Sequence, residues 1–236
     1  MVNHGWCGWR RFLFPGRCVL CDAQTQPARD FCSSCKAQLP YAGPSCAVCA
    51  APLPGDAAGA VHCARCQQAP PAFDQALALF AYAAPIDRLI QRFKYHGDLS
   101  LGRVLGTYLA NSIAERLEAR PDVLIPVPLH RSRLRTRGYN QALELAHPVA
   151  RRLGVRIDYR HAQRVRATAP QTEMDFDARR KNVRGAFEAN DAFTGLRVAI
   201  IDDVMTSGHT AHALAQALRR AGAVEISVWV LARAGE

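Results

Sequence analysis

Residues 198–210, VAIIDDVMTSGHT, constrain this chain more than any other stretch. Val198, Ala199, Ile200 and Ile201 form a short apolar run, the pattern of a strand buried in a parallel sheet. Paired aspartates, Asp202 and Asp203, end the run. Val204 and Met205 then lead into a small-residue loop, Thr206-Ser207-Gly208-His209-Thr210, and AHALAQALRRAG reads as a helix. Such a loop opening a helix is an anion site, because its N–H groups and the helix dipole both face the ligand. Two carboxylates beside it repel a bare phosphate but suit the hydroxyls of a ribose that carries one. The segment therefore reads as a ribose 5-phosphate cradle. The plain alternative is an ordinary strand–turn–helix with exposed aspartates at the turn. The full ordered string is much more restrictive than an isolated glycine motif.

The string resembles the signature of the type I phosphoribosyltransferases, whose ligand is phosphoribosyl pyrophosphate (PRPP). The resemblance implies PRPP binding by Asp202, Asp203, Thr206, Ser207, Gly208, His209 and Thr210, with the two aspartates also acting in catalysis. In members acting on 6-oxopurines, an aspartate general base stands where this chain has Thr206. A threonine hydroxyl is a poor base at about pH 7, so that kind of purine salvage is disfavoured.

With 236 residues there is room for one domain of ordinary size and a small module. The chain is 49% hydrophobic and 21% charged, enough to bury a core. No apolar run approaches the roughly 20 residues that span a bilayer. The N-terminal stretch is continuously apolar only at Phe12, Leu13 and Phe14, too short for a signal-peptide core. A cytoplasmic location is expected. The net charge of +10 is uneven: residues 131–186 hold 14 Arg and Lys against 5 Asp and Glu. A field of that sign attracts polyanions such as pyrophosphate, PRPP or nucleic acid.

All nine cysteines lie in the first 66 residues, and eight form C-x-x-C pairs: Cys18/Cys21, Cys32/Cys35, Cys46/Cys49 and Cys63/Cys66. Each such turn presents two thiolates to one ion, and two turns complete a tetrahedron. About two structural Zn²⁺ ions would use all eight. Pairing in chain order groups Cys18, Cys21, Cys32 and Cys35, then Cys46, Cys49, Cys63 and Cys66. Spacing leaves a cross-braced arrangement open. The competing disulfide scaffold needs an oxidising compartment. Cys7 lacks a partner, and His62 beside Cys63 reads as a bystander. A site filled by four thiolates has no open position for a hydrolytic water.

The organisation that follows is a leader at residues 1–15, a cysteine-rich zinc module at 16–68 and an α/β domain at 69–236. Residues 74–82 fit a strand, although the alanines also suit a helix. Residues 85–95 place Ile86, Leu89, Ile90 and Phe93 on one helical face, with Pro85 in the first turn. Helices are expected at 101–117, 138–153 and 210–221, and strands at 122–128, from 155, at 197–202 and at 224–231. That alternation implies a mostly parallel sheet with flanking helices. Ligands of such sheets sit outside the carboxyl ends of the strands. Besides the signature loop, two loops can meet there. One, LHRSRLRTRGYNQ, carries Arg131, Arg133, Arg135 and Arg137 at alternate positions for pyrophosphate or DNA, with Tyr139 available to stack on a base. The other, residues 164–187, is polar and basic and suits a lid carrying Arg164, Arg166, Thr168, Gln171, Arg179 and Asn182.

Taken together, the cysteine pairs, VPLHRSRLRTRGYNQ, RATAPQ followed by ARRKNVRGAF, and VAIIDDVMTSGHT resemble the ComF/GntX family, competence protein F. The resemblance runs from Phe14 to Arg233. Ser207 stands where threonine is usual, Met174 where leucine is usual, and His209 is bulky for its position. The resemblance implies a type I phosphoribosyltransferase-like fold behind a zinc module, and PRPP with Mg²⁺ as ligand. It further implies a role in DNA uptake or DNA utilisation, with single-stranded DNA and other uptake machinery as partners. Two other readings stand beside it. One is a metabolic phosphoribosyltransferase acting on a base or amine. The other is a zinc-ribbon DNA-binding adaptor with a vestigial transferase domain, against which the intact Asp202, Asp203, Thr206 and Thr210 weigh.

Overall fold

The computed structural model describes residues 16–26, 29–55, 61–167, 183 and 185–235. These form two compact units, residues 1–40 and 41–236. In the smaller unit, strands β1 (Gly16–Arg17) and β2 (Gln24–Thr25) pair antiparallel. A short helix, α1 (Ser33–Ala37), is capped by the Cys32 sulfur, which accepts from the Cys35 N–H.

The larger unit opens on a second cysteine knuckle, whose helix α2 spans Ala64–Gln68. Strand β3 (Gln75–Ala81) follows, so the alanine-rich stretch is a strand; its backbone pairs in parallel with the last strand of the chain. Helix α3 (Ile86–Tyr95) buries Ile86, Leu89, Ile90 and Phe93, as the periodicity requires, at roughly 1.5–3 kcal/mol each. Helix α4 (Leu99–Arg116) lies against α6 (Gln141–Leu153). Gly106 permits that approach: a Cβ there would stand 2.9 Å from Pro148 Cγ and 3.2 Å from the Leu145 carbonyl oxygen.

Strand β4 (Val123–Pro126) precedes a seven-residue helix, α5 (Arg131–Arg137), and α6 leads to β5 (Arg156–Ile157). Strands β6 (Ala162–Arg164) and β7 (Phe187–Ala189) pair antiparallel at the base of the expected lid. The chain ends with β8 (Arg197–Met205), helix α7 (His209–Arg220) and β9 (Glu225–Arg233). The main sheet is fully parallel, in the order β3-β9-β8-β4-β5. Strand β8 sits at its centre and runs three residues past Asp202, so the acidic pair lies within the strand, not at its end. No helix among the described residues is long and apolar enough to cross a membrane.

Candidate functional site

The carboxyl end of β8 feeds a cavity of about 840 Å³. Asp202, Asp203, Thr206 and Thr210 line it, together with Arg133, Arg137, Tyr139 and Arg164 from other segments. Gly208 caps α7 in left-handed geometry (φ 76°), turning the first N–H groups of the helix toward the loop. Ser207, 6% exposed, shares a hydrogen bond with His209 (Oγ to Nδ1, 3.0 Å). Ser207, Gly208 and His209 thus shape the loop from behind, while Thr206 and Thr210 face the cavity.

The acidic pair carries its own counter-ion. Lys94, near the end of α3, places Nζ 2.9 Å from Asp203 Oδ1, whose side chain is 7% exposed. Burial opposes charge on Lys94, but Asp203 and then Asp202 hold its pKa above the ordinary lysine value. Burial and the adjacent Asp203 push Asp202 up to about 7, and Lys94 limits the rise. Asp203 is further fixed by its own backbone: the Val204 N–H donates to Asp203 Oδ1 (2.6 Å) and the Asp203 N–H to Asp202 Oδ1 (2.9 Å). Lys94 is a site residue that sequence reasoning missed. In the sequence it is one more polar residue on an amphipathic helix, 109 positions from its partner.

The arginine segment is helical, which corrects the expected loop. Residues two apart on a helix lie on opposite sides, whereas residues four apart share one. Arg133 and Arg137 accordingly reach the cavity, and Arg131 and Arg135 are exposed outside it. Arg137 also donates to Gln141 Oε1 (2.8 Å) and stands 5.5 Å over the Tyr95 ring. Tyr139 lines the cavity, but its ring packs on Phe93 (5.9 Å) and its hydroxyl donates to the Phe93 carbonyl. That corrects its expected availability for stacking; Tyr95, 63% exposed, also lines the cavity. Burial and the nearby Arg133 lower Arg164 to about 10, with Asp202 acting the other way. Arg164 lines the cavity within the field of both Arg133 and Asp202, and Arg166 is exposed. Thr168, Gln171, Arg179 and Asn182 lie outside the described residues.

The cysteines gather in chain order: Cys18, Cys21, Cys32 and Cys35 in the smaller unit, and Cys46, Cys49, Cys63 and Cys66 in the larger, the sulfurs of each group within 4.8 Å of one another. The cross-braced alternative is thereby set aside. Two sulfur separations, 3.8 Å for Cys21–Cys32 and 3.6 Å for Cys49–Cys63, match the roughly 3.8 Å edge of a tetrahedron with Zn–S bonds of about 2.3 Å. They are far longer than the roughly 2.05 Å of a disulfide, and all eight cysteines are free thiols. Although burial works to raise Cys46, hydrogen bonds from the Cys63, Cys49 and Val48 backbones bring it down to about 6. Burial and hydrogen bonding to Cys49 push Cys66 up. Thiols that share protons in this way are a donor set made for a soft cation. Both groups fit structural Zn²⁺.

A parallel sheet with an acidic pair and a glycine-capped loop on its central strand, in a chain that also carries two Cys₄ clusters, defines a phosphoribosyltransferase-fold protein bearing a double zinc ribbon. Residues 139–236 match the phosphoribosyl transferase domain family and residues 9–67 the double zinc ribbon domain family. The chain is 37% identical over 182 residues to competence protein F of Haemophilus influenzae, covering 74% of this chain and 80% of that one. It is 34% identical over 178 residues to the DNA utilization protein YhgH of Escherichia coli K12, covering 72% and 77%. Competence protein ComFC of Bacillus subtilis is 25% identical over 164 residues, covering 66% and 62%. The chain belongs to the competence protein F family.

Proposed function

We propose that the cavity binds PRPP and that the chain uses this site in DNA uptake or DNA utilisation. One observation carries the reading: the acidic pair, the anion loop and three arginines line a single cavity. Ribose hydroxyls donate to Asp202 and Asp203. The N–H groups at the start of α7 take the 5′-phosphate. Arg133, Arg137 and Arg164 take the pyrophosphate, as planar cations matched to phosphate oxygens. In transfer, the bond from the anomeric carbon to the pyrophosphate oxygen breaks, a bond to an acceptor nucleophile forms, and pyrophosphate leaves with the electron pair. Positive charge developing on the ribose ring faces the two carboxylates, and negative charge on the leaving group faces the arginines. Mg²⁺ accompanying PRPP supplies further neutralisation of the pyrophosphate.

Among the described residues that line the cavity, Asp202 and Asp203 are the only carboxylates. An acceptor that needs a third carboxylate as base is disfavoured, in line with threonine at position 206. The names of the relatives support placing this chemistry in competence or DNA utilisation. Contact with single-stranded DNA is supported by the exposed Arg131 and Arg135, outside the cavity on a strongly basic stretch.

The test is calorimetric titration of PRPP with Mg²⁺ into wild type and the double variant Asp202→Asn, Asp203→Asn. Binding should be lost in the variant while its thermal transition persists. Equal affinities would refute the reading.

A further inference from the structure

The second cysteine knuckle and the phosphate loop share one buried arginine. Arg233 ends β9 and is 2% exposed. Its Nε donates to the Cys49 carbonyl (3.2 Å). Its Nη1 donates to the carbonyls of Met205 (3.3 Å), Thr206 and Ala234 (2.6 Å). Cys49 supplies a sulfur to the second cluster, and Thr206 opens the phosphate loop. The contact is reinforced on both sides. Met205 and Arg233 are partners in the β8–β9 ladder, and the Ala234 N–H donates to the Met205 carbonyl (3.0 Å). Cys46, Cys49 and Cys66 pack in the same buried cluster as Met205. Arg65, between two cluster cysteines, brings Nη2 to 3.8 Å from where a Cβ on Gly208 would lie.

A guanidinium is a rigid planar fork. Buried, it is tolerated only while its hydrogen-bond acceptors stay in place. Metal in the knuckle fixes the Cys46–Cys49 turn and with it the Cys49 carbonyl. Without metal, nothing ties the Cys46–Cys49 turn to the Cys63–Cys66 turn, and the first turn loosens. The same fork then no longer fixes the Thr206 carbonyl, and the N–H groups beyond it lose their aim.

We propose that Arg233 is a positioning residue that couples the Cys46/Cys49/Cys63/Cys66 zinc site to the phosphate loop, so that zinc in the knuckle and PRPP in the cavity strengthen each other's binding. The inference rests on the PRPP reading of the cavity. Linkage makes the effect reciprocal, so it is measurable from either ligand.

The experiment uses the two-zinc full chain as wild type, Arg233→Met and Arg233→Lys. Calorimetry measures PRPP affinity in excess Mg²⁺, and chelator competition measures zinc retention with and without saturating PRPP. In wild type, PRPP should tighten one of the two zinc ions about tenfold. Arg233→Met should keep two zinc ions, bind PRPP about tenfold more weakly and lose the effect of PRPP on zinc. Arg233→Lys, which keeps the charge but not the fork, should fall between. The Asp202→Asn, Asp203→Asn variant should show no effect of PRPP on zinc, which excludes chelation by PRPP itself. Arg233→Met with two zinc ions and wild-type PRPP affinity overturns the proposal and leaves the PRPP reading standing. Should Arg233→Met fail to fold, the wild-type linkage decides alone, and zinc retention indifferent to bound PRPP overturns the coupling. A wild type that binds no PRPP overturns the cavity reading, and the coupling with it.

Discussion

Replacing Lys94 by methionine removes the cation that balances two adjacent carboxylates, and its cost should depend on pH. The Lys94–Asp203 pair is 2.9 Å long, with side-chain exposures of 24% and 7%. Breaking a buried pair from one side costs about 3–5 kcal/mol, because the remaining charge is stranded. Here protonation offers relief. Asp202 already holds its proton to about 7 in the folded chain, whereas an unfolded aspartate releases it at about 3.9. Between those values the folded state binds more protons, so this group's contribution to stability falls as pH rises. Lys94 now limits that rise. Without it Asp202 climbs further, the window of proton uptake extends upward, and the variant's deficit grows with pH.

At about pH 8.5 the deficit should approach the lower end of that range, roughly 3 kcal/mol, and at about pH 5.5 it should shrink to roughly 1 kcal/mol. For a chain of this size about 1 kcal/mol moves the thermal transition by about 2–4 °C. Lys94→Met should therefore melt about 6–12 °C below wild type at the higher pH and about 2–4 °C below it at the lower. Calorimetric scans at both pH values, with Lys94→Arg as the charge-keeping control, check this. A deficit equal at the two pH values, or greater at the acid one, would show that Lys94 acts through packing and not through the acidic pair.

The helical geometry of residues 131–137 puts Arg133 and Arg137 in the cavity and leaves Arg131 and Arg135 outside it. Arg133→Ala with Arg137→Ala should weaken PRPP binding about tenfold or more, while Arg131→Ala with Arg135→Ala should spare PRPP and flatten the salt dependence of single-stranded DNA binding by about one to two units of log–log slope. Identical effects of the two double variants on both ligands would refute the division. Elemental analysis of protein purified under reducing conditions should give two zinc equivalents per chain, one for each cluster. A zinc-free preparation with an unchanged thermal transition would refute a structural role for the metal.

The parts of this molecule legible in sequence are those whose signal is local. The period of Ile86, Leu89, Ile90 and Phe93 marks α3, and each C-x-x-C marks half a metal site. The arginine segment was misleading because Leu134 is its only apolar residue, and that side chain is 43% exposed. The helix is held by its ends instead. His130 Nδ1 accepts from the Ser132 N–H (3.3 Å), and Gly138 closes the last turn at φ 81°, where a side chain would be strained. Gly138 was the available signal. Lys94 and Arg233 carried none, because their roles depend on partners that only the folded sheet brings near. Nor does the spacing of the cysteine pairs reveal that Cys46, Cys49 and Cys66 share a buried cluster with Met205.

The charge layout of the cavity bears on how a protein of this family treats ribose and DNA. The cavity is lined by cations and anions together: Arg133, Arg137 and Arg164, and the pair Asp202 and Asp203 within β8, with Lys94 on Asp203. A DNA strand entering the cavity can satisfy the arginines through its phosphates. Deoxyribose has no 2′-hydroxyl, so at least one acceptor of the acidic pair loses a donor, and a desolvated carboxylate without its hydrogen bonds is costly. PRPP would satisfy both sets of groups, since it brings a diol and a pyrophosphate at once. If the cavity holds PRPP as proposed, the same two aspartates that take the ribose diol disfavour a DNA strand there. Strand binding is accordingly expected on the outward arginines, Arg131 and Arg135, with PRPP and DNA held on opposite faces of one short helix.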